Sequence, residues 1–178
     1  LSGWKPMPPG CRWPSNDNFA PSKMEMVLWK VVLGGLLGFG GMEILGWAVH
    51  KYLMHGPLWF IHRTHHRPSG RGLEWNDVFS LAFGSLGLYL VLGSLEPLHS
   101  FQLGAGIGVC MYGLFYFVLH DAWVHRRWVL PRPLDGAYLQ AMIRAHRAHH
   151  ASLQAKPSES YGLWLFPRKF WAGRTKKP

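Results

Sequence analysis

His50-Lys-Tyr-Leu-Met-His55, His62-Arg-Thr-His65-His66, His120-Asp-Ala-Trp-Val-His125 and His146-Arg-Ala-His149-His150 take ten of the chain's eleven histidines. Only His99 stands outside, and a lone histidine reads as an ordinary core or surface residue. Neutral imidazoles gathered in such number point to a borderline transition metal. On a helix, positions i, i+3 and i+4 share a face, so each H-x-x-H-H box is expected to aim three nitrogens at one point. The H-x4-H pairs fit a straight helix face less well, so a helix end or bend is expected at both. Ten ligands exceed the roughly four to six that one ion takes. Two ions fit better.

Outward from the boxes, long apolar runs alternate with short basic segments. The formal charge of +10 would suit a nucleic-acid binder. However, the basic residues border hydrophobic spans and no nucleic-acid motif accompanies them, so loops facing anionic lipid explain them better. The two cysteines, Cys11 and Cys110, give neither a disulfide framework nor a cluster motif. Electrons for any redox chemistry must therefore come from another protein. Acidic residues are scarce and H-E-x-x-H is absent, which argues against a carboxylate-rich di-iron bundle and a zincin. Imidazole spacing alone leaves zinc open.

Val27 to Val49 is long enough for one membrane crossing, which needs about 20 residues. Gly34, Gly35, Gly38, Gly40 and Gly41 are expected to admit a neighbouring helix. Glu43, costly in lipid, is expected to face the bundle interior. The helix should run on to His55 and break at Gly56-Pro57. A short basic segment then ends in Pro68-Ser-Gly70. Apolar runs from Val78 to Leu95 and from Phe101 to Leu119, joined at Glu96-Pro97, predict a helical hairpin. Trp128 to Pro133 turns the chain, and Ala137 to Ser152 predicts an amphipathic helix. Three crossings bring all four boxes to one side, with Lys51, Arg63, Arg67, Arg71, Arg126, Arg127, Arg132, Arg144 and Arg147. By the positive-inside rule that side is cytoplasmic, although Lys5, Arg12 and Lys23 then fall outside. The predicted fold is an all-α integral membrane protein of three to four crossings, with a cytosolic histidine-rich cap holding a dinuclear metal site. Residues 1–23 read as a disordered or mis-assigned leader, with Met24 or Met26 as alternative starts. Residues 24–172 form the domain and 173–178 a basic tail.

Each box carries further detail. Gly-Met-Glu43 precedes His50-Lys-Tyr-Leu-Met-His-Gly56, and Glu74-x-Asn-Asp77, Tyr112-Gly-Leu-x-Tyr116, His120-Asp121 and Ala145-His-Arg-x-His-His150 follow. With these motifs, Met42 to Phe166 resembles the membrane fatty-acid hydroxylase superfamily and, within it, the bacterial β-carotene 3-hydroxylases. Asp121 is followed by Ala-Trp where that family has Gly-Leu, and Ser158 to Tyr161 is divergent. The resemblance implies a bacterial inner-membrane monooxygenase with two non-haem iron ions and O2 as co-substrate. Electrons would come from reduced ferredoxin or a similar carrier. The carotenoid substrate would pass from β-carotene through β-cryptoxanthin to zeaxanthin.

The ten box histidines are the candidate ligands. Metal-bound histidines need their second ring nitrogen oriented by a carboxylate or carbonyl; Asp121, Asp77, Glu74 and Asn76 are the candidates. Asp77 is also a candidate helix N-cap. Phe79, Phe83, Tyr112 and Phe115 are candidates to line a substrate path, or to pack. Arg63, Arg126, Arg127 and Arg147 would meet ferredoxin or lipid phosphate. Two other readings stay open: a sibling oxygenase acting on a keto-carotenoid, acyl chain or sterol, and a non-catalytic membrane metal-binding or transport protein. The sequence leaves the oligomeric state undetermined.

Overall fold

The computed structural model describes residues 21–67, 72–95, 98–128, 136–156 and 158–171. The leader up to residue 20, Pro68-Ser-Gly70, Glu96-Pro97, the turn after Trp128 and the basic tail lie outside the described residues. The described residues are helical or irregular, with no strand.

Helix α1, Lys23–Ala48, opens on a capping box. The Ser22 hydroxyl accepts from the Glu25 amide at 3.2 Å, and the Glu25 carboxylate accepts from the Ser22 amide at 2.6 Å. It continues into a π-helical turn, Val49–Met54. Helix α2, Trp59–His66, carries the first H-x-x-H-H box into the basic segment. Helices α3, Asp77–Leu92, and α4, Ser100–Tyr116, form the hairpin. Helix α4 also runs on as π-helix, Phe117–Val124. Helix α5, Ala137–His150, buries Ala141, Met142, Ala145, His146 and His149 along one stripe.

Helices α1 and α4 lie almost backbone to backbone, through glycines on both. A Cβ on Gly34 would sit 2.2 Å from the Phe101 carbonyl oxygen, and one on Gly38 2.3 Å from that of Ala105. Reciprocally, one on Gly104 would lie 2.1 Å from the Val31 carbonyl oxygen and one on Gly108 2.2 Å from that of Gly35. Gly40 and Gly41 do not share this role, because each faces open space. The i, i+4 spacing of the four close glycines puts them on one face, the arrangement that lets helices associate in lipid.

The bundle is apolar outside as well as inside. Leu36 is 68 % exposed, and Leu33, Leu37, Leu81, Leu88 and Ile107 also face outward, while the buried core is small. Two helical stretches, Lys23–Met54 and Ser100–Val124, are long and apolar enough to cross a membrane. Helix α3 has 16 residues, ending at Leu92 rather than Leu95.

Glu43 faces inward, as its cost in lipid demands. It is 5 % exposed. Its Oε2 accepts from the Tyr112 hydroxyl at 2.7 Å, and Oε1 accepts from the backbone amides of Trp164 and Leu165 at 2.9 and 2.8 Å. One carboxylate thus ties α1 to α4 and draws the segment after α5 back onto both. Each such bond contributes ~1.5–3 kcal/mol when one partner is charged. Glu43→Ala is expected to lower the thermal midpoint in detergent by many degrees. A midpoint equal to the parent's would remove this tie from the account.

Candidate metal centre

The π-helical turns explain the H-x4-H boxes. In each, the backbone bonds from i+5 to i, His55 to His50 and His125 to His120, both at 3.0 Å. This winding sets the fifth residue over the first, where an α-helix would turn it away. The expected helix irregularity at these boxes is therefore a change of helix type.

The ten histidines form two groups, with ligand nitrogens within 4.8 Å of one another in each. His50, His55, His62, His66 and His149 make the first; His65, His120, His125, His146 and His150 make the second. Each H-x-x-H-H box is divided between them, which corrects the expectation of three nitrogens at one point. Residue i+4 lies about 40° from i around an α-helix, whereas i+3 lies about 60° away on the other side. His62 and His66 therefore serve one group and His65 the other, and α5 repeats the division with His146 and His150 against His149. The groups abut, with the rings of His66 and His150 stacked at 4.3 Å.

Inside the first group, the Nδ1 atoms of His50, His55 and His66 donate to the backbone carbonyls of Tyr161, Ala155 and Ser152 at 2.7, 2.7 and 2.9 Å. His149 Nδ1 donates to the Glu159 carbonyl at 2.9 Å. A carbonyl oxygen only accepts, so each of these rings carries its proton on Nδ1 and a bare lone pair on Nε2. Yet His55 Nε2 faces His149 Nε2 at 3.1 Å, and His50 Nε2 faces His62 Nε2 at 3.0 Å. Among the described residues, His66 Nε2 and His150 Nε2 are buried without a hydrogen-bond partner. In the second group, His65 Nε2 faces His120 Nε2 at 3.2 Å, and His125 Nε2 faces His146 Nε2 at 2.9 Å.

Extra protons do not relieve the crowding. Burial, reinforced by neighbouring imidazoles, pulls His62 and His149 down to about 3. Burial likewise pulls His66 and His125 down to about 4, and lowers His55, His65, His146 and His150. These rings are uncharged near pH 7, and lone pairs converging in this way are what a bound cation would satisfy. The donor set fits nitrogen-preferring transition ions such as iron or zinc.

Three of the four polar candidates reach an imidazole. Asn76 Oδ1 accepts from His62 Nδ1 at 2.7 Å, Glu74 from His65 Nδ1 at 3.1 Å and Asp121 from His120 Nδ1 at 3.0 Å. Asp77 instead grips Arg127 through both oxygens, at 2.7 and 2.8 Å. It is the first residue of α3 rather than its N-cap, and it also accepts from the Glu74 amide at 2.9 Å. Arg127 is therefore buried between Asp77 and Asp121 and is not a surface contact for a carrier or lipid. Sequence reasoning missed the carbonyls of Ser152, Ala155, Glu159 and Tyr161, because any residue type presents one. It also missed Tyr116, whose hydroxyl lies 3.2 Å from His120 Nε2.

Below the histidines, a cavity of about 400 Å³ runs between α1, α3 and α4. Phe79, Phe83 and Tyr112 line it, and His50, His62 and His120 bring both groups to its end. Phe115 packs instead on Phe39 and Trp164.

The fatty acid hydroxylase family matches residues 35–169, a span that holds all ten histidines. The chain belongs to that family. Among its relatives, the β-carotene hydroxylase of Pantoea ananas is 38% identical over 130 residues, covering 71% of this chain and 72% of the relative. That of Paracoccus sp. strain N81106 is 39% identical over 129 residues, covering 71% and 78%. The chloroplastic β-carotene 3-hydroxylase 2 of Arabidopsis thaliana is 35% identical over 134 residues, covering 72% of this chain and 43% of the plant protein. No solved structure matches this member of the family.

Proposed function

We propose that this chain is a carotenoid β-ring hydroxylase that converts β-carotene through β-cryptoxanthin to zeaxanthin, using O2. The observation that carries the reading is the apolar cavity ending on both histidine groups, in a chain 34–39% identical to β-carotene hydroxylases over most of its length. Two iron ions held by the ten histidines would supply reductive O2 activation, with electrons from a reduced ferredoxin or similar carrier. The side chains do the rest. Asn76, Glu74 and Asp121 fix the ring orientation of His62, His65 and His120. Phe79, Phe83 and Tyr112 hold an apolar ring and exclude water.

Helix α3 would make a third crossing beside the two long spans, bringing all the boxes to the cytoplasmic face of the inner membrane. A carotene spans a hydrocarbon core of ~30 Å, so its end ring would reach this face without leaving the bilayer. Residues 24–172 form the functional domain in this reading.

Pigment chromatography of a β-carotene-accumulating bacterium expressing the chain tests the proposal. β-Cryptoxanthin and zeaxanthin should appear. Unchanged β-carotene beside folded, iron-loaded protein would refute it and turn attention to acyl or sterol substrates. The cavity makes a sharper prediction. Gly84 lines it, and nothing lies within 4 Å of where its Cβ would be. Gly84→Phe should leave metal content unchanged and suppress product; full activity would place the substrate elsewhere.

A further inference from the structure

We infer that the two histidine groups are unequal metal sites: the second, containing His65 and His120, binds a divalent ion more tightly and fills first, and Glu74 helps to set that difference. The inference rests on the two-metal reading above and concerns what stands behind each imidazole.

Every acceptor behind the first group is neutral. His50, His55, His66 and His149 donate to main-chain carbonyls and His62 to the Asn76 amide oxygen. Behind the second group, His65 donates to the Glu74 carboxylate and His120 to that of Asp121. A carboxylate acceptor draws the Nδ1 proton outward, raises electron density at Nε2 and makes the ring a stronger ligand. The same negative charge stabilises a cation on the other side of the ring.

Local charge agrees. Asp77 joins Glu74 and Asp121 near the second group, against the guanidinium of Arg127, which lies 3.7 Å from Asp121, and that of Arg147, which lines a cleft with His65, His125, His146 and His150. Among the described residues, three carboxylates against these two guanidiniums still leave a negative balance. Near the first group, the Glu159 carboxylate is paired with Lys169. One outer partner is worth ~10–100-fold in metal affinity, so the sites should differ by ~10-fold or more.

The test is a titration of the full chain in detergent, stripped of metal, with Co2+ under argon, following the ligand-field absorption and bound metal by dialysis. Two equivalents should bind with dissociation constants at least ~10-fold apart. His66→Ala should keep the tight equivalent and weaken the other; His125→Ala should do the reverse. Glu74→Gln keeps an acceptor for His65 but removes its charge, and should weaken only the tight equivalent. Circular dichroism verifies that each variant is helical. Equal affinities in the parent would overturn the inequality, and a tight equivalent unmoved by Glu74→Gln would overturn the role given to Glu74, each while leaving two metals. Fewer than two equivalents would overturn the two-metal reading with it.

Discussion

His149→Ala is expected to cut ring hydroxylation at least ~100-fold while the chain still folds. Losing an outer partner of a metal ligand costs ~10–100-fold, and His149 is proposed as a ligand itself. It is fully buried, its Nδ1 is held by the Glu159 carbonyl, and its Nε2 meets that of His55 at 3.1 Å. Alanine there removes a crowded lone pair rather than a packing wedge, so helicity and membrane insertion should be retained. Bound iron should fall with product. A chelator should abolish the parent's activity and Fe2+ should restore it, whereas the variant should respond poorly to added iron. His99→Ala is the control and should behave as the parent. Parent-like product from the His149 variant would show that this residue is no ligand.

Gly108→Val should have the other large effect, on folding. The added Cβ would lie 2.2 Å from the Gly35 carbonyl oxygen and 2.8 Å from the Phe39 amide nitrogen. Backbone atoms cannot rotate aside, so α1 and α4 must separate along their contact. Overpacking commonly costs ~1–3 kcal/mol even where side chains can adjust, and more is expected here. Most of the folded protein should disappear from size-exclusion profiles in detergent. Gly40→Val, which meets nothing within 4 Å, should leave the profile unchanged. Similar losses from both would show that glycine content matters and the helix contact does not.

Much of this was legible because it resides in side chains with one dominant use. The histidine boxes, the inward Glu43 and the hairpin of α3 and α4 follow from chemistry or hydropathy that survives in a linear string. What was not legible depends on winding and on main-chain atoms. The division of His65 from His62 and His66 needs two sites flanking α2, and a single-face projection cannot supply that. The two histidines of each H-x4-H pair come together only once the helix is π. The carbonyls behind His50, His55, His66 and His149 have no residue signature. Asp77 and Arg127 were each read alone, one as a cap or imidazole partner and one as a surface charge. Their shared ion pair joins positions 50 residues apart in sequence.

The most direct test of the central claim is the fate of labelled oxygen. The purified chain, loaded with Fe2+ and supplied with β-carotene and a reducing system, would be run under 18O2 and its products analysed by mass spectrometry. The account predicts one 18O atom in each hydroxyl and no label without iron. Hydroxyls carrying oxygen from water, or products formed equally well by iron-free protein, would contradict it.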